Sequence, residues 1–146
     1  MSMNGNSDPD KTPEPVDCVF LWHTPASREE LRRAASRSLR LHAASSFERA
    51  QELLSSKASR VLLVEASPHD PKWMSGIAKA VTGLSGILWI AVLVQFDGER
   101  WIEMLEHGAF DVVCPPFQAV DLQRIVRNAD EKALLQADTA MSSPSS

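Results

Sequence analysis

Few residues in this chain have the chemistry to do more than pack. The candidates are two thiols (Cys18 and Cys114), four histidines (His23, His42, His69 and His107) and Glu65, which closes the apolar run Val61–Val64. A reactive thiol needs a cationic neighbour or a helix N-terminus to lower its pKa. No Lys or Arg lies near Cys114, and Cys18 sits inside an apolar stretch, so both read as small buried hydrophobes. His23 ends the apolar run Val16–Trp22, and Glu65 ends another. If the two runs share a sheet, the pair meets at one edge, where a carboxylate biases imidazole titration. One histidine and one carboxylate fall short of the three protein ligands a zinc site takes, so no metal and no cofactor is expected. His42, His69 and His107 are scattered and expected at the surface. Gly83–Gly86 (GLSG) does not follow a strand and does not match GxGxxG. No CxxC pair and no nucleophile elbow occur. The residue set favours contact over catalysis, and the chain is expected not to be an enzyme.

Composition agrees. The chain has 146 residues, 44% hydrophobic and 23% charged, which suits one globular domain with its own core. Fifteen basic against nineteen acidic residues give a net charge of −4, so direct nucleic-acid binding through phosphate contacts is not expected. The longest apolar run, Ile87–Val94, is too short to span a bilayer. Without a signal-peptide pattern or a disulfide framework, a cytoplasmic setting and no membrane contact are expected. Tyrosine is absent. Residues 1–15 and 139–146 are polar and Ser/Pro-rich and read as a disordered lead and tail around one domain, 16–138.

The elements that must position these residues alternate strictly. Val16–Trp22 is β-prone, and Ser27–Glu30 then gives a capping-box pattern before Leu31, Ala34, Ala35 and Ser38. Leu39–Ala43 alternates like an edge strand. Ser45–Glu48 is a second capping box, ahead of Phe47, Ala50, Leu53 and Leu54 on one helix face. Val61–Val64 is continuously apolar, as a strand covered on both sides must be. Asp70–Pro71 supplies a cap and a first-turn proline for a helix carrying Trp73, Met74, Ile77 and Val81. Ile87–Val94 is the second fully apolar strand. Asp97 caps a helix carrying Trp101, Ile102 and Leu105, with Trp101 on its core face, and Gly108 stops it. Phe110–Cys114 is the fifth strand, Pro115–Pro116 ends it, and Leu122, Ile125, Val126 and Ala129 mark the last helix. Five β-α units predict an α/β fold with a doubly wound parallel sheet and right-handed crossovers. Ligands of such sheets sit beyond the carboxyl ends of the strands. That edge holds Trp22, His23, Thr24, Glu65, Ser67, Gln95, Phe96 and Cys114.

Two stretches carry a resemblance to a known family. Gly108–Phe117 (GAFDVVCPPF) resembles the Gly-Ala-x-Asp, strand, Lys-Pro-Phe sequence of response-regulator receiver domains. Leu41–Leu54 resembles the family's second strand and second helix. The resemblance covers about Val16 to Asp138 and implies a flavodoxin-like strand order 2-1-3-4-5. The family transfers a phosphoryl group to an aspartate, with Mg²⁺ held by an acidic pair and charge compensated by a hydroxyl and a Lys. Here the acid-pair positions are Trp22 and His23. The acceptor position is Glu65, or Val64 if Pro68 sets the alignment. The hydroxyl position is Val94 or Gln95, the Lys position is Pro115, the cis-proline position is Pro116, and the switch aromatic is Val112. Trp22 is expected to plug the vacant pocket or anchor a partner. Glu65, longer than Asp, is a candidate imitation of a phosphorylated state.

The resemblance thus implies an atypical receiver, a two-component signalling module that has given up phosphotransfer and acts on a protein partner, such as the effector domain of a transcriptional regulator. Receiver dimers use the surface of the fourth helix, fifth strand and fifth helix. Here Glu99, Arg100, Glu103, Asp121, Arg124 and Arg127 would decorate it, giving a possible homodimer. Two alternatives stand beside this reading: a phosphorelay receiver with an unconventional acceptor or metal site, and a small α/β ligand-binding domain or enzyme using the same edge.

Overall fold

Strands and helices alternate through the described residues, 15–35, 39–66, 71–82 and 84–142, of a computed structural model. In order these are β1 (Val16–Leu21), α1 (Pro25–Ala34), β2 (Leu39–Ala44), α2 (Phe47–Ser56), β3 (Val61–Glu65), α3 (Pro71–Thr82), β4 (Leu88–Val92), α4 (Gly98–Glu106), β5 (Asp111–Val113) and α5 (Ala119–Ser142). The five strands form one parallel sheet in the order β2-β1-β3-β4-β5, as expected. The two apolar runs become β3 and β4 near the centre, while β2, with Arg40 and Ala43 exposed, is an edge.

Side chains alternate across each strand, so the sheet has two cores. Val19, Leu21, Leu62, Val64 and Ala91 face α2, α3 and α4 through Ala50, Leu53, Ile77 and Met104. Cys18, Phe20, Val61, Leu63 and Ile90 face α1 and α5 through Leu31, Leu122, Val126 and Ala129. Glu65 follows Val61 and Leu63 at a spacing of two, which puts it on the α1 and α5 side.

Helix ends differ from the capping-box reading by a few residues. α1 starts at Pro25, with Thr24 as N-cap accepting from the Ser27 N–H; Ser27 itself lies inside the first turn and is buried. The fixed φ of Pro25 suits the first helical position and moves the start upstream. β2 runs on to Ala44, so the cap of α2 is Ser46 rather than Ser45, its Oγ accepting from Arg49 N–H at 3.2 Å. Asp97 caps α4 as read, accepting from the N–H groups of Glu99 and Arg100.

Other boundaries move too. β1 stops before Trp22, and β4 is shorter than Ile87–Val94, leaving Val94 exposed. On α4 the deepest residue is Met104, while Ile102 is 59% and Leu105 43% exposed. At 100° per residue a short helix turns only one narrow stripe to the sheet, and Met104 and Trp101 occupy it. α5 continues past Asp138 to Ser142. The Met1–Glu14 stretch, Ser38, Ser67, Pro68, His69, Asp70 and Gly83 lie outside the described residues, as do the side chains of Trp73 and Met74.

Two helices end in the same geometry. After α4, Gly108 N–H donates to Leu105 and Ala109 N–H to Met104, with Gly108 at φ +104°. After α2, Ala58 N–H donates to Ser55 and Ser59 N–H to Leu54, but the left-handed residue is Ala58 at φ +51°. Both are Schellman closures, which favour glycine. A Cβ in that region costs about 1–2 kcal/mol. The Ala58→Gly variant is therefore expected to gain about 0.5–1 kcal/mol after the added freedom of its unfolded chain is deducted. Urea denaturation measures it, and a loss of stability would contradict the strain.

Candidate functional site

The carboxyl edge of the sheet is organised around one acid. Glu65, the last residue of β3, is 1% exposed, and a buried carboxylate must find donors. Its Oε1 accepts from the main-chain N–H of His23 at 2.7 Å and of Thr24 at 2.9 Å. Its Oε2 lies 2.9 Å from Thr24 Oγ1. An ionised carboxylate only accepts, so the Thr24 hydroxyl proton points to Glu65. A hydroxyl has one proton, so the 3.0 Å contact between Thr24 Oγ1 and Ser27 Oγ is then donated by Ser27. Main-chain N–H groups at a helix N-terminus are unpaired within the helix and carry partial positive charge. Glu65 therefore serves as an anion bound at the start of α1, supplied by another strand.

The neighbouring positions complete the picture. Trp22 is half-buried, packs on the α1 and α5 core, and lies under the Arg28 guanidinium at 4.9 Å. His23 is exposed, and it meets Glu65 through its main-chain N–H. Val94 and Gln95 are exposed on the β4–α4 loop, Pro115 is half-buried, Pro116 is exposed, and the Pro115–Pro116 peptide is cis. Val64 is fully buried in the opposite core, pointing away from this edge. Val112 is buried. Among the described residues, no three His, Cys, Asp or Glu side chains are grouped to hold a metal ion.

Thr24 is the partner of Glu65 that sequence reading did not connect with it, and Ser27 bonds Thr24 in turn. The available signal was Thr24-Pro25, an N-cap residue before a first-turn proline; what it lacked was any pointer from residue 24 to residue 65.

A second feature lies between α4, β5 and α5, a cleft of about 200 Å³ with Trp101, Val112, Cys114, Phe117 and Ile125 among its walls and Asp121 and Arg124 at its rim. Arg124 and Asp121 pair at 3.3 Å, and Arg100 pairs with Glu103 on α4. Glu99 is exposed at the start of α4, and Arg127 lies outside the cleft lining. Phe96, 68% exposed, leans on Trp101 with ring centroids 6.0 Å apart. Ile102 and Leu105 on α4 are exposed as well.

Removing the acid should cost stability. In Glu65→Ala, two N–H groups lose a charged acceptor in a buried place, which is expected to cost about 3 kcal/mol in urea unfolding. Glu65→Gln keeps one carbonyl oxygen for them and should cost about 1 kcal/mol. Equal losses for the two variants would mean that the hydrogen bonds do not matter. The thiols should also separate. Burial, with the Asp17 charge adding to it, pushes the Cys18 thiol from about 9 up to about 12. The folded form resists ionisation that the unfolded chain undergoes near 9, so this contribution is complete below pH 9 and is lost as pH rises toward 12. The urea midpoint is expected to fall from pH 8 to 11 more steeply in the parent chain than in Cys18→Ala. Iodoacetamide should label half-buried Cys114 and leave Cys18 untouched in the folded protein.

No family profile and no curated protein matches the sequence. Solved structures do. A CheY-like protein, TadZ, from Pseudomonas aeruginosa aligns with a TM-score of 0.66 at 17% identity, over 78% of this chain and 98% of its own. A response regulator receiver domain protein from Clostridium thermocellum aligns at 0.61 and 16%, over 83% of this chain and 98% of its own. NtrX from Brucella abortus aligns at 0.68 and 14% over 86% of this chain, which spans only 28% of that protein. The architecture around Glu65 is thus the fold of response-regulator receiver domains.

Proposed function

We propose that the chain is a receiver-like regulatory module that works through protein–protein contact and without phosphoryl transfer. The observation that carries this reading is the state of Glu65. At the place where receivers accept a phosphoryl group, this carboxylate is buried and bound by the N–H groups of His23 and Thr24 and by the Thr24 hydroxyl. Phosphoryl transfer needs an exposed nucleophile in line with its donor and a cation to gather phosphate oxygens. Trp22 and His23 are poor Mg²⁺ ligands, since that ion prefers hard oxygen donors. Pro115 brings no ammonium group, and Val94 brings no hydroxyl. The partner-facing surface in this reading is the α4–β5–α5 side. Phe96, Ile102 and Leu105 are exposed at and along α4, which also carries the Arg100–Glu103 pair, and Asp121 and Arg124 pair on α5. Apolar residues ringed by charge are the usual composition of a contact surface. A second copy of the chain and an effector protein both fit that composition.

Incubation with acetyl phosphate and Mg²⁺, followed by intact-mass measurement, should give no added phosphoryl mass. Beryllofluoride with Mg²⁺ should leave the amide resonances of His23, Thr24 and Glu65 in place. A stoichiometric phosphoryl adduct, or saturable shifts confined to those residues, would overturn the reading.

A further inference from the structure

The negative charge of this molecule is concentrated in one stretch. Residues 97–121, from the cap of α4 to the first turn of α5, hold six carboxylates (Asp97, Glu99, Glu103, Glu106, Asp111 and Asp121) against Arg100 alone, a net −5. The whole chain is −4, so all the rest of it sums to +1. The charges of the stretch are unevenly matched. Glu103 has Arg100 and His107, and Asp121 has Arg124. Asp97 caps α4, and Asp111 accepts from the Val112 N–H. Glu99 and Glu106 are exposed and have no cation among the described residues. Ile102 stands between them, three residues after one and four before the other, so the three are neighbours on the helix surface. Leu105 follows Ile102 by three and Trp101 by four, and Trp101 is a wall of the cleft between α4, β5 and α5. Phe96 leans on the same Trp101 ring. An apolar strip flanked by two free acids therefore runs along α4 and reaches the cleft.

The cleft, about 200 Å³, has the size of one aromatic ring, since an apolar cavity of about 150 Å³ already takes benzene. Its walls include Val112, Phe117 and Ile125, and Cys114 lines it too. Charge then separates the two occupants that composition admits. A second copy meeting this face with its own sets carboxylates against carboxylates, and like charges brought together reject a partner. It also brings few spare cations. Arg100 and Arg124 already hold acids, and Arg127 has its Nε and Nη2 closed off from solvent, which leaves Lys132 on these two helices. A segment with Lys or Arg on either side of an aromatic residue answers both features at once, the ring for the cleft and the cations for Glu99 and Glu106.

We propose that this face receives a basic segment of another protein, with an aromatic side chain seated in the cleft and Lys or Arg side chains on Glu99 and Glu106. The inference rests on the regulatory reading for its choice of face, and it narrows the partner from any protein to a cationic one. The Cys114 thiol, lining the cleft, reports whether the ring is seated.

The test uses the full chain and a fluorescent synthetic peptide of lysines and arginines around one phenylalanine. The peptide is expected to bind at low salt, to slow iodoacetamide labelling of Cys114 at saturation, and to weaken in about 0.5 M NaCl as the charges are screened. Exchanging its phenylalanine for glycine should cost about tenfold in affinity, the scale of one buried anchor. An acidic peptide around the same phenylalanine should not bind. Glu99→Gln with Glu106→Gln, both at the surface, should cost about fivefold, as two exposed ion pairs do. A basic peptide that fails to bind at about 1 mM, or that binds without protecting Cys114 and regardless of the two glutamates, would overturn the proposal. So would light scattering that finds the parent chain self-associated and the double variant monomeric, because the occupant is then a second copy. A phosphoryl adduct from acetyl phosphate counts against the regulatory reading alone and leaves the peptide result in force.

Discussion

The carboxylate of Glu65, gripped by the N–H groups of His23 and Thr24, joins the centre of the sheet to the start of its first helix. Its effect follows from where it sits. β3 is flanked on both sides, so a side chain leaving its end toward α1 is shut off from water, and an unpaired charge there would be prohibitive. The unpaired N–H groups of a helix start are the nearest remedy. Glu is one methylene longer than Asp, and that extra reach lets the group stay on β3 while its oxygens arrive at residues 23 and 24.

The rest of the edge is consistent with that anchor. Trp22 packs on the α1 and α5 core, Arg28 lies over the Trp22 ring, and Thr24 both caps α1 and donates to Glu65. Here an internal anion already occupies the start of α1. Along α4 and α5, apolar side chains and paired charges meet solvent.

Much of the fold was legible because it rests on short-range patterns. Continuous apolar runs marked β3 and β4, strict β-α alternation implied a parallel sheet, and Pro25, Asp97 and Gly108 punctuated the helices. The errors fell where a pattern depends on distant packing. Ile102 and Leu105 have helical spacing yet lie outside, because the contact of α4 with the sheet is narrower than its apolar content. The caps of α1 and α2 moved because the preceding strand or proline decided where each helix could begin. Composition suggested a disordered tail from residue 139, but α5 runs on to Ser142.

The sequence by itself determined the class of fold and which residue types stand at the carboxyl edge, because period, punctuation and residue identity are local properties. It also placed a carboxylate at position 65 and denied that edge an aspartate acceptor and a lysine. Only the tertiary structure decided what the carboxylate does. Residues 24 and 65 are 41 apart in the chain, and no local pattern records that their atoms lie 2.9 Å apart. Burial, which turns a polar strand end into a helix anchor, arises only when α1 and α5 close over the sheet.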